Sequence, residues 1–166
     1  MNAANWIALG SAVVSVLSFL GTIIFSWRAA ASARNSRDVA IGAAESSLRS
    51  AISTTRQRVE DRALQIATIL NGRRRCDLKV ADERMLEPHE KAFRSAVEDN
   101  LNAYEDACAK YRDGKIDIAR FKKMYINEIQ NLCVVKDSPI TEFMNPEGAS
   151  KFQAIWRVYR EWHIHE

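Results

Sequence analysis

The sequence predicts an all-α protein with a single N-terminal transmembrane helix, a long coiled-coil-like stalk helix and a small C-terminal helical bundle. Three observations predict it. Residues 6–27, "WIALGSAVVSVLSFLGTIIFSW", carry no charge. Apolar residues then recur at helical spacing through most of the remaining chain. No segment alternates apolar and polar residues over the length of a strand.

The uncharged stretch comes first. A helix rises about 1.5 Å per residue and needs about twenty residues to cross roughly 30 Å of hydrocarbon, and this stretch has twenty-two. Trp6 and Trp27 stand at its ends, where indole rings favour the membrane interface, and Arg28 follows at once. A cleaved signal peptide is the competing reading, because Ala29-Ala30-Ala31-Ser32-Ala33 offers small-residue cleavage positions. It is disfavoured by the absence of Lys and Arg in "MNAAN", by the length of the apolar run and by Arg28 ahead of the Ala run.

Orientation follows from the basic flank. Arg28, Arg34 and Arg37 lie just after the span and no basic residue lies before it. Positive flanks are retained on the cytoplasmic side, so residues 1–5 are expected outside and the rest inside, at the cell (inner) membrane. The three cysteines, Cys76, Cys108 and Cys133, are odd in number and lack metal-ligand spacing, which agrees with a reducing compartment.

The remainder divides by charge. Residues 28–75 hold ten Arg against four acids, whereas residues 76–166 hold fourteen basic residues against seventeen acids. The overall +3 therefore conceals a basic stalk and a slightly acidic distal part. Basic residues near the span suit anionic headgroups, whose attraction fades within about a Debye length.

The stalk, residues 28–71, carries Ile41, Ala44, Leu48, Ile52, Thr55, Val59, Ala63, Ile66 and Leu70 at spacings of three and four that repeat every eleven residues. Eleven residues over three turns gives a straight or slightly right-handed coil. A narrow stripe of this kind suits pairing with another helix, so Leu48, Ile52, Val59 and Ile66 are expected to associate with a second helix. Asn71-Gly72 ends the run. Inside the apolar span Ser11, Ser15, Ser18 and Thr22 share one face. Small side chains let helix backbones approach and hydroxyls bond across the contact, although Ser and Thr also bond back to their own helix. These residues extend the expected association into the bilayer, with a second copy or a partner membrane protein.

Residues 76–166 read as a compact helical domain, near the lower size limit for a single core. Phe93, Val97, Leu101, Tyr104, Cys108 and Tyr111 mark one helix, with Pro88 placed in its first turn and Asp113-Gly114 at its end. Asp117 is expected as the N-cap of the next helix, with Ile116 stapled to Phe121 and a buried face of Ile118, Phe121, Tyr125, Ile129 and Leu132. "KDSPITEFMNPEGASK" reads as a connector with at most one helical turn over residues 140–144. A last helix runs from about Ala149 to Trp162.

The stretch "LNAYEDACAKYRDGKID", an aromatic-rich helix after it and a terminal "YREWH" carry a resemblance. The Asn102, Tyr104, Glu105, then Gly114, Ile116 and Asp117 pattern is similar to small bacterial membrane-anchored proteins with one N-terminal membrane helix, a coiled stalk and a helical domain of unknown function. Ala103 departs from it, where such proteins often have a second aromatic residue. The resemblance spans roughly the distal half of the chain, implies a membrane-tethered helical domain and imports no activity. Asn102 and Glu105, three apart on one helix turn, are weighed as an interaction surface against a hydrogen bond that fixes packing.

No catalytic, cofactor-binding or metal-binding residue is expected, and the chain is read as a non-enzyme. His163 and His165 with Glu166 lie at a terminus with no neighbouring groups to fix a ligand geometry, and the cysteines have no paired His. There is no Gly-rich phosphate loop and no nucleophile elbow. "GRRR" sits at a turn without interleaved aromatic residues, which disfavours nucleic acid as a partner. Two readings of function remain. One is a single-pass membrane-anchored interaction or scaffold protein that presents its domain in the cytosol, in a phage-defence or envelope assembly. The alternative is a membrane-active effector of the lysis, exclusion or abortive-infection type that acts by clustering its transmembrane helix.

Overall fold

A computed structural model describes residues 3–72, 75, 80–136 and 138–163, with side chains from residue 25 onward in these ranges apart from residues 80 and 81. Among the described residues the chain is helical and has no strand: α1 (Ala3–Leu70), α2 (Val80–Arg112), α3 (Ile118–Val134), the single turn α4 (Thr141–Met144), a 3-10 turn (Glu147–Ala149) and α5 (Gln153–His163). The chain divides into two units, Met1–Gly42 and Ala43–Glu166, and α1 contributes to both.

In the first unit the side chains of residues 25–40 are exposed, Phe25, Trp27 and Val39 by 75%, 76% and 72%. Among the described residues no helix is long and apolar enough to cross a membrane. The expected span over residues 6–27 falls almost wholly on side chains outside the described ones, and Ser11, Ser15, Ser18 and Thr22 lie there with it.

The second unit holds the core. It begins at Ala43, so residues 43–71 of the stretch read as a stalk, about two thirds of it, belong to the folded unit. The reason is visible in the stripe itself: Leu48 and Ile52 are each 4% exposed and join Tyr104, Cys108, Phe121, Tyr125 and Trp162 in one cluster, with Ala44 and Val59 packed at its margin. Burying a Leu or Ile side chain contributes about 1.5–3 kcal/mol. A stripe that pairs with a helix thus finds its partners within the chain. Helix α2 runs back along α1: Arg56 bonds Tyr104 and Arg75, just past the end of α1, bonds Glu90, so positions on α2 fall as those on the first segment rise.

Local signals set the ends of the elements. Asn71 and Gly72 take φ of 46° and 73°, a left-handed conformation that closes α1. At the end of α2 the amide of Lys115 bonds the carbonyl of Lys110 at 3.0 Å and that of Gly114 bonds Tyr111 at 3.1 Å, a Schellman arrangement with Gly114 at φ 64°. Ile116 is buried, and Asp117 caps α3 by accepting from the Arg120 amide at 2.8 Å.

Three details differ from the sequence expectation. Helix α2 begins at Val80, so Pro88 lies in its interior and not in its first turn, and the apolar face that continues from Leu86 to Val97 carries the helix past it. Ile118 is 54% exposed, because the N-cap at Asp117 turns the first residue of α3 away from the core. Helix α5 starts at Gln153, since the backbone over Glu147–Ala149 closes as a 3-10 turn and Ser150 is extended.

Candidate interaction surface

The faces of α1 that meet α2 and α3 carry a polar margin around Leu48 and Ile52. Glu45 accepts two hydrogen bonds, one from the amide of Asp117 at 2.9 Å and one from the Arg120 guanidinium at 2.8 Å. Thr55 accepts from the side-chain amide of Asn100 at 2.9 Å and donates to the carbonyl of Ala51 in its own helix. Arg56 donates to the Tyr104 hydroxyl at 3.1 Å and pairs with Glu128 at 2.9 Å, while Tyr104 donates to Glu128 at 2.6 Å. Three helices therefore meet at one three-membered polar cluster.

The electrostatics of that cluster favour the bound forms. Burial, followed by the hydrogen bond to Glu128, holds the Tyr104 phenol well above its ordinary range, so it stays a donor. The hydrogen bond to Glu128 raises Arg56 further, which keeps it charged. A neutral donor and a fixed cation on one carboxylate make a packing device.

Glu105 is occupied as well. Its two carboxylate oxygens accept from the amides of Ala154 and Ile155 at 2.8 and 3.0 Å. These are free donors in the first turn of α5, and the negative charge faces the positive end of the helix dipole. Of the two residues weighed as an interaction surface, Glu105 thus ties α2 to α5, and Asn102 is exposed.

The association residues fall into three groups. Leu48 and Ile52 are buried in the chain's own core, Val59 and Ile66 are half-buried, and Ser11, Ser15, Ser18 and Thr22 lie outside the described side chains. The periodicity located the first four on one face but could not say which helix covers it. Glu45, Arg56 and Glu128 were missed. The available signal was charge at the edge of an apolar stripe, Glu45 one residue after Ala44 and Arg56 one after Thr55.

No thiol or metal chemistry is assembled by the described residues. Cys108 and Cys133 are buried, and burial pushes both thiols up, that of Cys133 to about 12. Such thiols are poor nucleophiles. Among the described residues no group of three or more His, Cys, Asp or Glu could hold a metal ion. Cys76, His165 and Glu166 lie outside the described residues. His163 stacks on Tyr159 with ring centroids 5.1 Å apart.

Comparison with known proteins finds no match among family models, curated proteins or solved structures.

Proposed function

We propose that this chain is a single-pass membrane protein whose residues 6–27 anchor it in the cell (inner) membrane and whose helical unit is held in the cytosol for a protein partner. One observation carries the reading: twenty-two consecutive uncharged residues closed by Trp6 and Trp27, with Arg28, Arg34 and Arg37 on one side only. The exposure of Phe25 and Trp27 on α1 supports it, since side chains of that kind favour an interface between lipid and water. The folded unit supports an interaction role over catalysis, because its polar clusters are spent on joining helices. The chain acts as a scaffold in an envelope or phage-defence assembly, as a homo-oligomer or with a partner membrane protein, and needs no cofactor.

The experiment is extraction of membranes from cells that make the full chain. The reading predicts that alkaline carbonate and high salt leave the protein in the pellet and that detergent releases it. Release by carbonate alone would make the association peripheral and the anchor wrong.

A further inference from the structure

Within the second unit, α1 and α2 form a groove of about 440 Å³ lined on α1 by Arg58, Asp61, Arg62 and Gln65 and on α2 by Ala92, Ser95, Ala96 and Asp99. Its floor is small: Ala96 is buried and Ala92 half-buried, so another helix can approach closely. Its walls carry both signs of charge. Among the described residues Arg58, Asp61 and Asp99 form no ion pair within the chain, whereas neighbours such as Arg56 with Glu128 and Arg75 with Glu90 do. Arg58, Asp61, Arg62 and Asp99 are all exposed.

We infer that this groove is the docking surface for a second copy of the chain, in a two-fold arrangement of α1–α2 hairpins. The argument is self-complementarity. The groove residues of α1 and α2 lie side by side at one height of the hairpin, two Arg and one Asp on α1 and one Asp on α2. A two-fold axis parallel to the hairpin sets α1 of one copy against α2 of the other at that same height. Arg58 and Arg62 then face Asp99 of the second copy, over a bed of Ala92, Ser95 and Ala96, and the contact is repeated by symmetry. The product is a four-helix arrangement, in which small residues at the contact permit close packing and rim charges fix register and exclude other partners. The inference rests on the membrane-anchored reading only in that a shared membrane brings copies together with the same orientation.

The test uses the full chain in mild detergent, with mass measured by light scattering over a concentration series. Wild type is expected to dimerise, and Asp99→Arg is expected to raise the dissociation constant about tenfold or more. Adding Arg58→Asp and Arg62→Asp to Asp99→Arg should restore the dimer, because each copy then offers the reversed pair. Ser95→Arg is a second disruptive variant at an exposed position, and unchanged helicity and melting temperature in each variant show that the fold is intact. A monomeric wild type, a dimer insensitive to Asp99→Arg and Ser95→Arg, or loss without rescue in folded protein would each overturn the inference. A protein that resists carbonate extraction yet is monomeric removes the groove contact alone. A carbonate-extractable dimer with the predicted charge dependence removes the anchor alone.

Discussion

The Glu105 carboxylate on α2 closes the N-terminus of α5 by accepting from the amides of Ala154 and Ile155, at 2.8 and 3.0 Å. Glu105→Ala leaves both donors without that acceptor and is expected to cost about 1–3 kcal/mol. Glu105→Gln keeps an oxygen acceptor but loses the charge at the helix end, and should cost less. Urea denaturation of the two variants checks the order. Equal stability of Glu105→Ala and wild type would mean that solvent replaces the carboxylate without loss.

Helix α1 offers an internal control for its docking in the second unit. Leu48 is buried among aromatic side chains and Leu64 is 66% exposed on the same helix. Leu48→Ala is expected to destabilise by about 2–5 kcal/mol and Leu64→Ala by no more than about 0.5 kcal/mol. If α1 served only as a stalk, both substitutions would leave the melting temperature of the helical unit unchanged.

Gly114 isolates a backbone effect. Its φ is 64° and an added Cβ would meet no atom within 4 Å, so Gly114→Ala suffers only from its left-handed conformation. The expected loss is about 1–2 kcal/mol. Gly148 has equal space and no positive φ, and Gly148→Ala should be neutral or stabilising by less than about 1 kcal/mol. Thermal melts of the pair separate conformation from crowding.

Stability should fall at alkaline pH. Burial raises Cys133 from 9.0 to about 12 and raises Cys108 as well. Both thiols are neutral in folded and unfolded chains below pH 9, where their full contribution is present. Above pH 9 the unfolded chain ionises first, and stability is lost as pH rises toward 12, at up to about 1.4 kcal/mol per pH unit for each group. The raised phenols of Tyr104, Tyr111 and Tyr125 add to the loss above pH 10. Melting temperatures at pH 7.5, 9 and 10.5 should decline over the last interval, and Cys133→Ala should flatten that decline even though its baseline is lower. A slope unchanged by Cys133→Ala would contradict the burial account.

Much of this architecture was legible because its determinants are local. The Gly114 turn and the Asp117 cap are decided within a few residues, and the faces of α2 and α3 follow from spacing that only a helix satisfies. The docking of α1 was not legible. The spacing of Leu48, Ile52 and Val59 shows that a helix covers that face, but a helix of the same chain and one of another copy demand the same pattern. Glu105 was ambiguous for a related reason, since its acceptors are spoken for by amides 49 and 50 residues away. Pro88 misled because first-turn proline is the commoner placement, whereas here eight residues of α2 precede it.

The central claim is topological, and cysteine accessibility tests it most directly. Cys108 and Cys133 are buried, so the probe is an introduced thiol at the exposed Ser53, as Ser53→Cys, in a chain with Cys76→Ser. Cells are treated with a membrane-impermeant maleimide before and after permeabilisation. Labelling only after permeabilisation is the predicted result, with residues 6–27 as the anchor and the helical unit in the cytosol. Labelling of intact cells would place that unit outside and contradict the account.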